Sequence, residues 1–140
     1  MPIMNETAEQ RSMAKWGEAG RAFQLLPDIL LKKQVELGLT ATDMLVLLNV
    51  TLHWWYADKK PFPRTSTIAA RMGIEPRTVQ RTLRKLSDLG LMKRVPETAE
   101  DGSQRTVCDL SGLVERLGKY AEADPDYIVR ARRQAERMVA

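Results

Sequence analysis

The chain is poor in the residues on which metal sites and most catalytic sites depend. It has one cysteine and one histidine among 140 residues. A single cysteine excludes an internal disulfide, and His53 has no Cys, His or paired carboxylate at a spacing that would complete a metal site. The sequence also lacks a glycine-rich phosphate loop and a nucleophile motif. We therefore predict a protein with no enzymatic activity, no cofactor and no metal ion.

Long apolar runs are also missing. No stretch of about 18 apolar residues occurs, and the N-terminus lacks the apolar core of a secretory signal, so we predict no membrane association and a cytoplasmic location. A hydrophobic fraction of 44% is enough for one core. We predict a flexible N-terminal arm over residues 1–20, one domain over residues 21–120, and a C-terminal helix over residues 121–140.

Residues 64–95 carry the pattern of two short helices separated by a sharp turn. Ile68 and Met72 lie four residues apart on the first helix, and Gly73 permits the positive φ that ends it. Pro76 stands at the first position of the second helix, where its fixed φ suits the helix and no amide proton is needed. These signals predict a helix-turn-helix.

The second of these helices has two different faces. Val79, Leu83 and Leu86 recur at spacings of four and three and form an apolar face. The opposite face carries guanidinium and amide groups, which match the edges of guanine and adenine in a DNA major groove. The predicted base-reading residues are Arg77, Thr78, Gln80, Arg81 and Arg84.

Residues 40–120 resemble winged-helix DNA-binding domains. The resemblance rests on Ala69 with Gly73 four residues later, on Val79 six residues beyond that, and on the run RTVQRTLRKLSDLGLMKR. It is similar in particular to bacterial proteins of phages, plasmids and mobile elements. Some of these regulate transcription, and others form the DNA-binding part of replication initiators.

This resemblance implies a mainly α fold with a small β-hairpin wing (α+β) and helical extensions at both ends. In such a fold the recognition helix would span residues 76–89, and the wing strands would span residues 91–95 and 104–110. The implied partner is double-stranded DNA.

Positive charge is concentrated in residues 59–95. Ten Lys and Arg face two acidic residues there, a balance of +8, whereas the whole chain carries +4 and the remainder therefore −4. Such a block favours binding to a polyanion because condensed counterions are released. A solvated basic face on a helical hairpin is the alternative interpretation. The predicted phosphate contacts are Arg64, Thr65, Ser66, Arg71, Lys85, Lys93, Arg94 and Arg105.

The loop of the predicted wing has the opposite charge. It carries Glu97, Glu100 and Asp101 and no basic residue between Pro96 and Gln104. Phosphates would repel this tip. Either the wing points away from the duplex and touches the backbone only through its basic base, or it serves protein contacts.

Elements outside the helix-turn-helix follow from weaker patterns. We predict a short strand over residues 23–26, a helix over residues 28–37, and a long helix over residues 42–56 with Thr40 in its capping box. The aromatic run at residues 53–56 is interpreted as core, because aromatic residues at helical spacing usually pack inside.

A terminal helix begins at Asp124-Pro125, a cap followed by proline at the first position. Its apolar stripe is narrow, and such a helix is marginal alone, so we predict that it mediates homodimerisation. A helix folded back on its own domain, or the linker of a longer protein, is the alternative. The dimerisation candidates are Ile128, Ala131, Ala135 and Met138.

Three functions are compatible with these patterns. The leading one is sequence-specific binding of double-stranded DNA by a nucleoid-associated bacterial transcription regulator, with helix 76–89 in the major groove. The second is a DNA-binding factor in plasmid or phage replication or maintenance. The third is a winged-helix protein-protein interaction module, against which the +8 block counts.

Overall fold

The computed structural model describes residues 6–139 and has a winged-helix architecture. Seven α-helices and one antiparallel pair of strands make this part of the chain mainly α with a small hairpin, which confirms the predicted fold class. In chain order the elements are α1 (Ala8–Trp16), a 3-10 helix (Gly17–Arg21), α2 (Asp28–Lys32), α3 (Ala41–Thr51), α4 (Thr65–Met72), α5 (Pro76–Asp88), β1 (Lys93–Thr98), β2 (Gln104–Asp109), α6 (Ser111–Glu122) and α7 (Pro125–Val139).

One apolar core joins helices α2 to α6 and the start of the wing. Val46 and Leu47 of α3, Ile68 of α4, and Val79 and Leu86 of α5 are fully buried in it. Burying a side chain of this size contributes about 1.5–3 kcal/mol relative to leaving it exposed. The core therefore fixes α5 by its apolar face and leaves the opposite face outside.

The turn between α4 and α5 has the predicted form. Gly73 adopts a left-handed conformation with φ +64°, and the amide of Ile74 donates to the carbonyl of Ala69 at 3.1 Å. Pro76 is the first residue of α5, which ends at Asp88, one residue before the predicted end. The helix-turn-helix is confirmed.

Helix α3 begins at Ala41, one residue before the predicted start, and ends early. The amide of Asp43 donates to Thr40 Oγ1 at 3.1 Å, and the amide of Thr40 donates to Asp43 Oδ2 at 2.9 Å, a complete capping box. The helix stops at Thr51, so the predicted end at residue 56 is wrong. The core interpretation of the aromatic run is wrong for His53, Trp55 and Tyr56, which are exposed, whereas Trp54 is half-buried against the core.

The wing is a hairpin in which β1 and β2 pair antiparallel, with Val95 opposite Val107. Leu91 and Met92 were predicted to lie in the first strand, but they are buried in the core just before it. Because the core holds them, the chain becomes free to pair as a strand only from Lys93 onward.

The N-terminal region differs most from the sequence-based expectation. Residues 8–21 form α1 and the 3-10 helix, so the prediction of an arm without regular structure is wrong for them. Thr7 and Gln10 form a capping box that starts α1. The strand predicted over residues 23–26 is absent, and α2 ends at Lys32, short of the predicted residue 37. For residues 1–5 the predicted arm lies outside the described residues, as does residue 140 of the predicted C-terminal helix.

Candidate nucleic-acid interface

The outward face of α5 is the centre of the candidate interface. Arg77, Gln80, Arg81 and Arg84 are all exposed, while Val79 and its apolar companions on the opposite face are buried. In residues 6–139 no carboxylate lies within salt-bridge distance of these three guanidinium groups. Four of the five predicted base-reading side chains thus share one solvent-facing surface. The fifth, Thr78, is half-buried at the edge of that face.

A shallow depression of about 360 Å³ connects α5 with the elements beside it. It brings residues predicted to read bases together with residues predicted to bind phosphate. Sequence reasoning missed Ser87, although its spacing of seven from Gln80 and three from Arg84 places it on the same helical face. The lining residues are Thr65, Gln80, Arg84, Ser87 and Arg94.

Other predicted phosphate contacts surround this depression. Arg64 is exposed at the residue preceding α4, and Ser66 is exposed in the first turn of that helix. Lys93 and Arg94 are exposed at the start of β1. The first turn of α4 holds no acidic residue, so its free backbone amides add to a positive environment.

Lys85 has a role inside the protein. Its ammonium group donates to Asp43 Oδ2, which also accepts the Thr40 amide of the α3 capping box. Burial acts to raise the pKa of Asp43, but the hydrogen bonds from Lys85 and Thr40 outweigh it, so this pKa lies below its usual value. We therefore reassign Lys85 from phosphate contact to the attachment of α5 to α3.

Arg105 is likewise engaged within the protein. It lies opposite Glu97 in the hairpin register, and its Nε donates to Glu97 Oε2 at 2.8 Å. The pair neutralises one of the acidic wing residues, and this leaves Arg105 without the unpaired charge that was predicted to meet a phosphate. At the tip, hydrogen bonds from the Ser103 side chain and amide lower the pKa of Asp101, so the tip stays negative.

Arg71, at the end of α4, lies beside the histidine. Its Nη1 donates to His53 Nε2 at 3.2 Å. Burial, and then the positive charge of Arg71, lower the pKa of His53, so this imidazole adds no charge near neutral pH. Arg71 is exposed and forms no ion pair among residues 6–139.

The predicted dimerisation residues lie along an open helix. Ile128, Ala135 and Met138 are exposed, and Ala131 is half-buried. Exposed ion pairs link the N-terminal end of helix α7 to α2, among them Arg130 Nη1 to Asp28 Oδ2 at 3.0 Å.

Two kinds of feature are absent from the described part of the chain. No group of three or more His, Cys, Asp or Glu side chains between residues 6 and 139 is arranged to hold a metal ion. Over the same residues no helix is both long and apolar enough to cross a membrane.

Comparison with known proteins gives the family. A family model described as the DnaD N-terminal domain matches residues 26–126, well over half of the chain. No curated protein matches.

Among solved structures, the N-terminal domain of the DnaD protein from Geobacillus kaustophilus HTA426 is similar, with 21% identity and a TM-score of 0.55 over 90% of this chain and 96% of that chain. A possible transcriptional regulator from Methanosarcina mazei Go1 aligns at 16% identity with a TM-score of 0.43, covering 76% of this chain and 85% of that one. The likeness to the first of these structures agrees with the family match. The chain belongs to the DnaD N-terminal domain family.

Proposed function

We propose that this protein binds double-stranded DNA in a sequence-specific manner, with α5 in the major groove. The proposal is carried by one observation: Arg77, Gln80, Arg81 and Arg84 project together from a helix whose other face is anchored in the core. Arginine grips guanine O6 and N7 with two donors, and glutamine pairs with adenine N6 and N7. A rigid helix is required because base readout depends on a fixed register.

Membership of the DnaD N-terminal domain family supports DNA binding in replication or in gene regulation and does not single out transcription. Our first candidate is a bacterial transcription regulator that occupies an operator. A factor in plasmid or phage replication or maintenance is the second, since it would use the same α5 surface. The cytoplasmic, nucleoid-associated location stays a prediction.

The acidic wing favours a protein-contact role beside DNA binding. Glu97 is paired with Arg105, while Glu100 and Asp101 are exposed at the hairpin tip. Phosphates repel such a tip, so the wing is directed at something other than the DNA backbone. This is the observation on which the interaction-module candidate depends.

Homodimerisation through α7 is part of the proposal. Its stripe of Ile128, Ala131, Ala135 and Met138 lies open, and a two-fold dimer would place two α5 helices on half-sites about 34 Å apart. Light scattering at micromolar concentration tests this directly. A monomeric mass under those conditions would rule out this part of the proposal.

Selection of bound sequences from random duplex DNA tests the main proposal. We expect one enriched motif. Arg77→Ala should weaken binding to this motif by about 1–3 kcal/mol and lower the selectivity for it. Lys93→Ala is the matched control. Loss of a phosphate contact should lower the affinity for all DNA sequences alike and reduce the salt slope by about one. Recovery of no motif, or equal effects of the two variants on all sequences, would overturn base reading by α5.

A further inference from the structure

The segment between α3 and α4 exposes large aromatic side chains. We call residues 52–64 the aromatic loop. Trp55 is 79% exposed, Tyr56 62% and Phe62 50%, although aromatic side chains of this size normally bury most of their area. Contiguous exposed apolar surface on a folded domain marks a binding site more often than chance.

Trp55 is held in a fixed orientation despite its exposure. Its Nε1 donates to the carbonyl of Leu52 at 2.8 Å, just beyond the end of α3. The neighbouring Trp54 packs against the core and so anchors the backbone on the other side. The indole nitrogen of Trp55 therefore has its hydrogen bond within the protein, while most of the ring surface stays exposed to solvent.

The aromatic loop is also positively charged. Lys59, Lys60 and Arg64 outnumber its one acidic residue, Asp58. Lys59 Nζ lies 5.6 Å from the centroid of the Tyr56 ring, so a cation stands next to an aromatic surface. None of these three cations forms an ion pair in the part of the chain described by the structure.

The far end of the aromatic loop is fastened to the wing rather than to α5. The amide of Cys108 in β2 donates to the carbonyl of buried Pro61 at 2.8 Å. The Arg105 guanidinium carbon lies 4.0 Å from the centroid of the Phe62 ring and covers one face of it. Trp55 and Tyr56 are thus the ring surfaces left for a ligand.

We propose that the aromatic loop binds single-stranded nucleic acid, with unpaired bases stacked on Trp55 and Tyr56 and phosphates near Lys59 and Lys60. The charge excludes a cationic ligand and favours a polyanion. A duplex hides the faces of its bases within the stack, whereas unpaired bases expose faces that an aromatic ring can cover. None of these four residues belongs to α5 or lines its depression, so the proposal goes beyond the function proposed above.

Fluorescence anisotropy of a labelled oligothymidylate at low salt tests the proposal. Trp55→Ala is expected to weaken binding roughly 5- to 150-fold, the range for loss of one stacked base, and Trp55→Phe to retain most of the affinity. Trp16→Ala is the matched control, because Trp16 is also an exposed tryptophan, at 70%, but lies on α1. Its substitution should leave the affinity unchanged.

Duplex binding by the same variants separates this proposal from the function assigned to α5. Trp55→Ala should keep the duplex affinity of the unaltered protein, and Arg81→Ala should keep its oligothymidylate affinity. The proposal is overturned if Trp55→Ala binds oligothymidylate as tightly as the unaltered protein, or if it loses duplex affinity by the same factor. Equal losses for Trp55→Ala and Trp55→Phe would also overturn it, because the ring would then not be what binds. Failure of duplex binding alone would contradict the α5 assignment and leave this one standing.

Discussion

Helices α5 and α7 are alike in sequence but lie in the fold in different ways. Each begins at a proline and carries arginines around an apolar stripe. Helix α5 buries Val79, Leu83 and Leu86 and contacts both α3 and α4. Helix α7 contacts α6 and is linked to α2 by exposed ion pairs, and none of its described side chains is buried.

This difference shows what an amphipathic pattern determines. The spacing of apolar residues decides that a helix has one apolar side, and both helices have it. What covers that side depends on where the neighbouring elements place it. The arginines of α5 are therefore fixed on a rigid frame, while those of α7 are carried by a helix with an open apolar stripe.

The largest contrast is expected in stability. Leu86→Ala on α5 should lower the free energy of unfolding by about 2–5 kcal/mol, because it opens a cavity in the core. Ile128→Ala on α7 should change it by less than about 0.5 kcal/mol, since Ile128 is 45% exposed. Urea denaturation followed by circular dichroism at low protein concentration measures both. Similar losses would mean that α7 is packed after all.

The ion pair that fastens α5 to α3 gives the next largest effect. Asp43→Ala removes the acceptor for both Lys85 and the Thr40 amide and should lower the free energy of unfolding by about 1–3 kcal/mol. Asp126→Ala is the control on α7, because its pair with Lys32 is exposed to solvent and screened, so its loss should change the free energy of unfolding much less. Urea denaturation of the two variants at neutral pH distinguishes them.

The same carboxylate predicts a pH dependence. Since the pKa of Asp43 is lower in the folded than in the unfolded protein, its stabilising contribution is fully present above the unfolded value of about 3.8. The contribution is lost as the pH falls through the lower folded pKa. A series of unfolding curves from neutral to acid pH should therefore show a smaller acid loss in Asp43→Ala than in the unaltered protein. Parallel curves would contradict the shifted pKa.

Replacing arginines of α5 should lower DNA affinity more than replacing arginines of α7. Arg81→Ala on α5 is expected to weaken binding to the selected duplex by about 1–3 kcal/mol. Arg133→Ala removes an exposed arginine from α7 and should have little effect. Titration of labelled duplex at fixed salt measures both affinities. A larger loss of DNA affinity in Arg133→Ala than in Arg81→Ala would mean that α7, and not α5, forms the DNA-binding surface.

The smallest effects concern two glycines, one in the turn before α5 and one inside α6. Gly73→Ala should lower the free energy of unfolding by about 1–2 kcal/mol, because φ at Gly73 is +64° and a Cβ is strained there. Gly118→Ala, inside α6 with open space around it, should raise stability by about 0.5–1 kcal/mol. Thermal unfolding of the two variants should show shifts in opposite directions. Shifts in the same direction would contradict this assignment of the turn.

Much of the helix-turn-helix was predictable because its signals are local. The signals lie within a few residues of one another. Gly73 is left-handed and Pro76 begins α5, as predicted, and the predicted apolar face with Val79 and Leu83 is buried. The capping box of Thr40 was predictable for the same reason. The four residues 23–26 are too short a segment to define a strand by themselves, and no strand forms there.

The candidate site was harder to predict because partners lie far apart in the chain. Lys85 pairs with Asp43 across 42 residues, and no local pattern distinguishes it from the solvent-facing arginines around it. The sequence pattern predicts Trp55 as a core residue. Because α3 ends at Thr51, Trp55 lies outside the helix and its side chain is exposed. Which of the predicted residues touch DNA stays a prediction.

The sequence by itself determined the two helices of the helix-turn-helix, the turn at Gly73 and the two-sided character of α5, since these depend on backbone preferences and apolar spacing within one or two turns. Only the tertiary structure decided which cations are tied to carboxylates, which aromatic rings stay in solvent, and that α5 has its apolar face covered while α7 does not. Those outcomes depend on contacts between distant segments, whose meeting is a property of the packed core.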